Sequence, residues 1–499
     1  MATSNINLSR NTKVYFTTNV NTSGIIADAD FTTSNTYQIQ VLDGFSFNQG
    51  TSQSTIQISE AGNNPSRGQR AFNTSLNPVD FSFSTYIRPV LTTGTAGPVT
   101  SAEKVLWNAL FGEVSLDAAG VGVTSLTRIA QVTGTGTAAT TSSTASPQAT
   151  LVLSAAITKR VNTTSTTGVA VSKGDIINIT GADIDAFNRP VKIISDVAAT
   201  DTAIYTVEYF MAPVTTSTVT VTSAKAYAGQ WAQGNTSTTA ALNSSYVSTM
   251  GANKNQLQKF GMLFVVDNVT YAVDNCAMDQ ASIAFGLDTI ATCAWTGKGT
   301  SLRTSTASIT ASTANVKAAY ITNKLSTMVL NSNIGGDLYT TTASKPYTIP
   351  ITGGTITISN NITYQTPTNL AVVNVPIGYY TGQRAISGNV TAYLRTGDDS
   401  TNSGSLLTTL LANVTGTEGV EPKYYVKLEM GGVGSANRVD FEMPAVVLQI
   451  PAVNIADVVA TTINFSAQGF NPDVKGQQLF DITKSNELLI RYYSNTSST

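Results

Sequence analysis

The sequence contains no histidine. That absence excludes Ser/His/Asp and Cys/His catalysis, histidine-ligated zinc and histidine-based pH switching together. Two cysteines are too few for a thiolate zinc cage. Charged residues make up only 12% of the 499, and the net charge is −2, so the broad cationic footprint that neutralises phosphates is missing. No stretch approaches the ~20 apolar residues of a membrane span. The N-terminus, MATSNINLSRNTKVYF, has no apolar core of the signal-peptide kind. A soluble chain made in a cytoplasm is expected. What fills the sequence instead is Thr, Ser, Asn, Ala and Val, a bias toward strands and turns. The length allows about three domains, and the class expected is mainly β.

An internal duplication organises the chain, and such repeats decide architecture. In Phe81 to Arg88 (FSFSTYIR), Phe83, Thr85 and Ile87 alternate on one face; in Gly388 to Arg395 (GNVTAYLR), Val390, Ala392 and Leu394 do the same. Tyr86 then lies over Tyr393, an offset of 307 residues. Each strand precedes an amphipathic helix. In the first, Ala102, Val105, Leu106, Ala109 and Leu110 form the stripe, Thr100 and Glu103 a capping box, and Gly112 the stop. In the second, the stripe is Leu406, Leu407, Leu410 and Leu411, with Ser403 as N-cap and Asn413 as stop. Ala291 to Gly299 lies over Thr461 to Gly469, aligning Trp295 with Phe465 at an offset of 170. The shorter second offset implies an insertion in the first copy. Val121 to Tyr227 fits it: a Thr/Ser/Gly tract (Thr133 to Ser146) leads into strand-like runs at Asp175 to Thr180, Pro190 to Ile194, Ile204 to Phe210 and Ser217 to Thr222. The C-terminal Leu488, Leu489, Ile490, Tyr492 and Tyr493 suit either a last strand or an arm laid on a neighbour.

Chemistry-bearing residues point away from catalysis. The acidic pairs Asp28 with Asp30, Asp183 with Asp185, and Asp398 with Asp399 sit in polar, turn-like contexts where Asp favours Asx turns, and the other ligands of a calcium loop are absent. Gly134-Thr135-Gly136 has neither a strand before it nor a helix after it, so it carries no nucleotide-binding meaning. Cys276 and Cys293 flank a turn near Gly286-Leu287-Asp288; in a reducing compartment they are expected as buried free thiols. No catalytic, cofactor or metal site is expected. The stretch Ser59 to Pro78 reads as a long loop holding Glu60, Arg67 and Arg70 in a chain poor in charge, and long ordered loops usually have a use.

Several long strings carry a family resemblance. GFSFNQG (Gly44 to Gly50), SEAGNNPSRGQRAFNTSLNPVDFSFSTYIRP (Ser59 to Pro89) and the helix EKVLWNAL resemble the tail tube proteins of long-tailed bacteriophages. In the second copy YITNKL, YTIPITGGTITISNNITYQTP, VPIGYYTG and GNVTAYL are similar to the duplicated tail tube protein of the T-five group of siphophages. The resemblance implies two tandem tail-tube-type β-sandwich or half-barrel domains, each with one α-helix, and does not cover the inserted small β domain. It implies that three chains close a pseudo-sixfold ring and that rings stack into a hollow tube. Exposed edges of a half-open β domain agree, since ring closure removes them. The implied partners are further copies of the chain, the tape measure protein in the lumen, tail terminator and distal tail proteins at the ends, and passing genomic DNA without tight binding; no membrane is involved. Glu60, Arg67, Arg70, Phe72 and Asn73 are the candidates for contact with the next ring or a neighbouring chain.

The expected plan is a first tube domain over 1–119 and 231–303, an inserted β decoration over 120–230, a linker over 304–319, and a second tube domain with a C-terminal arm over 320–499. The expected place is the virion tail, assembled in the host cytoplasm. The insert is expected to project outward and to favour a non-contractile tail. The competing readings are a β-rich phage fibre or surface adhesin and, after it, a glycan-acting enzyme built on carboxylate pairs.

Overall fold

The computed structural model describes residues 11–18, 26–31, 35–42, 44–56, 70–91, 99–111, 121–128, 132–133, 140–141, 148–159, 169–173, 175–180, 190–195, 203–209, 224–228, 231–232, 242–247, 257–267, 269–307, 309, 319–324, 326–332, 347–366, 375–395, 404, 406, 410–411, 424–432, 437–450, 452–454, 460–468 and 487–494. Glu60, Arg67, Gly112, Ser403, Asn413, Ser217 to Thr222, Gly134 to Gly136, the pairs Asp183/Asp185 and Asp398/Asp399, and most of the expected linker lie outside them.

The first repeat contains β1 (Lys13–Thr17), β2 (Thr36–Ile39), β3 (Ser46–Ile56), β4 (Arg70–Tyr86) and the helix α1 (Lys104–Phe111). The insert follows as β5 (Val121–Arg128), β6 (Gln148–Leu153), β7 (Ile176–Thr180), β8 (Pro190–Ile193), β9 (Ile204–Tyr209) and β10 (Lys225–Ala228). The chain returns through β11 (Leu242–Val247), β12 (Phe260–Val266), β13 (Val269–Gly286), β14 (Thr292–Gly299) and β15 (Ser301–Ser305). The second repeat contains β16 (Thr327–Ser332), β17 (Tyr347–Ser359), β18 (Ile362–Gln365), β19 (Gly378–Thr381), β20 (Ala385–Tyr393), β21 (Tyr424–Gly431), β22 (Arg438–Leu448), β23 (Ala460–Ala467) and β24 (Leu489–Ser494).

Strand pairing repeats with the sequence. In the first repeat β1 pairs with β2 and β12, β3 with β4, β4 with β14, and β13 with β12, β14 and β15. In the second, β16 pairs with the start of β17 and with β21, the rest of β17 with β20, β20 with β23, and β22 with β21, β23 and β24. All antiparallel, these are the same seven pairings twice. Between β20 and β21, Gly404, Leu406, Leu410 and Leu411 are helical, and Leu406 and Leu410 are buried, as α1 lies between β4 and β12. The long strands turn the corner between two layers by bulges at Met278/Gln280 in β13 and Ile351/Gly353 in β17, the device that lets one strand serve two sheets. The registers refine the alignment: with Tyr86 over Tyr393, Ala460 takes the place of Thr292, two residues from the match of Trp295 with Phe465. A shift of two leaves every side chain on its face.

The layers enclose one core shared by both repeats. Trp107 of α1 meets Trp295 edge to face at 4.7 Å, and its Nε1–H donates to Tyr492 Oη of β24 at 2.8 Å. The C-terminal apolar run is therefore a last strand of this chain, paired to β22 and β11. The capping reading of α1 needs correction. The helix starts at Lys104, so Glu103 stands just before it rather than at its third position; the Glu103 N–H donates to Ser101 Oγ at 3.0 Å, and the Glu103 carboxylate is drawn to Arg88 at 2.9 Å in the interior. Cys276 and Cys293 are buried free thiols, and burial pushes both well above the usual thiol range.

The insert closes on itself. Its strands run β5–β6–β9–β8–β7–β10 and back to β5 around a separate core of Leu126, Leu151, Ile177, Ile179, Val191, Ile193, Tyr205 and Val207. Closure leaves no edge to pair, so this barrel is satisfied without a neighbour. The two duplicated repeats, among the described residues, keep strand edges with no partner.

Candidate functional site: an uncharged sheet face and two open edges

The edge of β13 in the first repeat pairs directly with β17 of the second, Gln280 to Gly286 against Ser359 to Gly353. Two four-stranded sheets thereby become one, in the order β3–β4–β14–β13–β17–β20–β23–β22. Period-two alternation splits its residues. Val79, Phe81, Phe83, Trp295, Ile283, Ile356, Ile358, Val390, Ile463 and Phe465 point into the core.

The other face is made of hydroxyls and amides: Ser46, Asn48, Ser82, Ser84, Thr296, Gln280, Ser282, Thr355, Thr357, Ser387, Asn389, Thr462, Asn464 and Ser466, none of them buried. Cross-strand rungs tie it. Ser46 Oγ lies 2.8 Å from Ser82 Oγ, Asn389 Nδ2 donates to Thr355 Oγ1 at 3.1 Å, and Ser282 Oγ meets Thr357 Oγ1 at 3.3 Å across the junction of the repeats. Among the described residues the charged side chains on this face are Asp80 and Lys298, which pair with each other at 3.8 Å, and Asp279 at the β13 bulge, which accepts the Ile362 N–H at 2.7 Å. They border a shallow recess with Ser46, Asn48, Ser82 and Thr296. Such a face can hydrate a polyanion moving past it but offers no unneutralised cation to hold a phosphate.

The ends of the eight-stranded sheet are open. Among the described residues β3 pairs only with β4, and the last residues of β22, Val447 and Leu448, pair only with β23. Ile450, just beyond, is 47% exposed. The junction shows what such edges do: β13, the counterpart of β22, takes up β17, the counterpart of β3.

No family model matches the sequence. The chain is 25% identical over 481 residues to the tail tube protein pb6 of Escherichia phage T5, an alignment covering 93% of this chain and 72% of that protein. The resemblance to a siphophage tail tube protein holds along nearly the whole chain. It supports a structural role of the tail-tube kind and a place in the virion tail. It gives no support to an enzyme.

The contact candidates are placed unevenly. Arg70, Phe72 and Asn73 are exposed on the outer part of the β3–β4 hairpin. The expected loop over Ser59 to Pro78 needs correction, because Arg70 to Leu76 pair with Ile56 to Thr51 as strand. The polar Thr/Ser/Asn content that suggested a loop also suits a two-sided exposed ribbon.

One site was hidden by its composition. Asp28 opens a short 3-10 turn (Asp28–Asp30) yet is not a solvated turn residue. Its carboxylate accepts from Ser305 Oγ at 2.7 Å and Arg303 Nη1 at 2.9 Å, bonds that hold its carboxyl well below the usual range. Arg303 Nε also donates to the buried Asp274 at 3.2 Å. In the second repeat the corresponding strands bury Asp440 between Lys427 Nζ at 3.3 Å and Arg438 Nε at 3.1 Å. Burial, helped by Glu429 and Glu442, outweighs both cations and raises Asp440 to about 6. Neither signal is visible without the register of paired strands.

Proposed function

We propose that the chain polymerises as the wall of a phage tail tube. The observation that carries this is the junction: one open edge of a repeat has already captured the other open edge of its twin inside the chain. The free β22 edge of one copy then captures the free β3 edge of the next, and three copies with two repeats each close a ring of six. Rings stack into a hollow tube around the tape measure protein, with terminator and distal proteins at its ends, and the genome later passes through. The uncharged face lines the lumen, so DNA slides over hydroxyls with almost no counterion release to hold it.

The tube repeats span about 1–119, 231–303 and 320–499, and the barrel of about 120–230 is an outward decoration. Its β7 and β10 lie against the strands Trp231–Ala232 and β11, on the far side of the core from the uncharged face, which favours an outward position. The exposed hairpin with Arg70, Phe72 and Asn73, and the segment carrying Glu60 and Arg67, serve contacts between copies.

Negative-stain microscopy with mass measurement of rings tests the reading. Hollow tubes built of three-chain rings are expected; slender rods or isolated globules overturn it in favour of a fibre or adhesin. Assembled tubes should also fail to retain duplex DNA at physiological salt, whereas Thr357→Lys, which adds one cation per chain to the wall, should retain it at low salt and release it as salt rises.

A further inference from the structure

The seven shared pairings leave one difference between the repeats unexplained. In the second repeat the chain leaves the wall sheet at Asn360 and Asn361, the latter at φ 50°, and the hairpin β18–β19 folds onto the first repeat. Tyr364 Oη lies 2.7 Å from the Asn275 carbonyl and 2.8 Å from that of Lys298, and Tyr379 Oη donates to the Leu257 carbonyl at 2.9 Å. Ile362 and Tyr364 pack with Leu257 and Ala277. Asn360 is the latch: its Nδ2 donates to the carbonyls of Leu110 and Met278, and its Oδ1 accepts from Arg384.

The equivalent hairpin of the first repeat is undocked over its described residues. Over Thr51 to Ile56 and Arg70 to Asn77 it is almost wholly exposed, with Ile56 at 45%, Phe72 at 54% and Leu76 at 38%. Counting back seven residues from the matched core positions Val79 and Ile386 reaches Phe72 and Tyr379. One aromatic is seated and its counterpart is in solvent.

We propose that the β3–β4 hairpin docks on a second copy of this chain within the same ring, in the place on repeat 2 that β18–β19 occupies on repeat 1. That place is the corner of β22 at Met443 to Val446 with the end of β23 at Gln468, the counterparts of the β13 corner and the end of β14. The direction follows from the junction. β17 abuts β13, so the hairpin growing from β17 reaches repeat 1; where β3 abuts β22 of a neighbour, its hairpin reaches that neighbour's repeat 2. This rests on the ring reading above and adds to it a clasp running sideways rather than up the tube.

The test uses the full chain carrying Ser54→Cys with Gln468→Cys, both accessible, against a background whose native cysteines are buried. Tubes are treated with a short bismaleimide and resolved on a denaturing gel. A covalent ladder ending at the number of chains per ring is expected, with none from either single variant. Visible tubes without the ladder, or a ladder running past one ring, overturn the clasp while leaving the tube reading intact. Phe72→Asp provides a second measurement: the single chain should melt as the unmodified one does, with ring yield down about tenfold or more. Undiminished rings from that variant also overturn the clasp. Absence of rings from the unmodified chain overturns the tube reading itself.

Discussion

The two repeats share their pairings but differ in how each pairs its charges. Tyr86-Ile87-Arg88 and Tyr393-Leu394-Arg395 end matched strands, yet Arg88 is buried on Glu103 and Arg395 is exposed. The first repeat must hold α1 against a core that also receives Tyr492 from the second, and a buried ion pair fixes where the chain enters that helix. The difference teaches that duplication conserves backbone register more strictly than side-chain chemistry. Register is set by the apolar face of every strand, while one polar contact can be exchanged alone.

The largest expected effect breaks that contrast. Glu103→Ala leaves Arg88 as a buried uncompensated charge and should cost about 3–5 kcal/mol. Arg395→Ala, on the matched strand, should stay within about 0.5 kcal/mol. Denaturant unfolding of the two variants checks it, and near-equal losses would remove the asymmetry.

The second prediction sharpens the contrast between the acid clusters. Asp440 rises from its ordinary 3.8 to about 6, so between those values the folded chain holds a proton that the unfolded chain has released. Its contribution is therefore complete below pH 3.8 and falls as pH rises through 6. Asp28 is shifted the other way: its stabilisation is present above the ordinary carboxylate value and is lost as pH falls through the lowered one. Relative to the unmodified chain, Asp440→Asn should gain melting temperature as pH rises from about 4 to about 6, whereas Asp28→Asn should lose its penalty in acid. Parallel pH profiles for the two variants would contradict this.

A third prediction concerns an aromatic laid over glycine in each repeat. A Cβ on Gly297 would run into the Phe81 ring, and one on Gly388 into the Phe465 ring and the Thr355 carbonyl. Gly388→Ala should cost about 1–3 kcal/mol by overpacking. Because Thr355 belongs to β17, the strand at the junction, the same variant should also loosen the pairing of the repeats. Gly297→Ala, whose Cβ would also meet the Ala277 carbonyl of β13 but outside the junction register, should loosen that pairing less, read as hydrogen exchange at Ser282 and Ala284.

Much of this was legible in the residues and some was not. Alternation in Phe81 to Arg88 and Gly388 to Arg395 gave matched strands because burial on one face writes a period of two into the sequence. The runs at Asp175, Pro190 and Ile204 appear as β7, β8 and β9 for the same reason. The junction was hidden, since Gly353-Gly354 breaks the apolar pattern and the pairing joins segments some 70 residues apart. Asp28 was hidden because its partner Arg303 is distant in sequence and an Asp-Ala-Asp string resembles a turn. The outer ribbon of β3–β4 was hidden because a strand exposed on both faces has no apolar period to read.

The smallest expected effects compare the two hairpins in the isolated chain. Tyr379→Phe removes one hydrogen bond, to the Leu257 carbonyl, and should cost about 1 kcal/mol. Phe72→Ala removes a ring that is 54% exposed, so the single chain should change by no more than about 0.5 kcal/mol. The contrast reverses in the tube. There Phe72→Ala should reduce ring yield, while Tyr379→Phe, already satisfied within one chain, should assemble normally once folded. Equal assembly by both variants would mean that the exposed hairpin has no seat on a neighbour, and the difference between the repeats would be local folding alone.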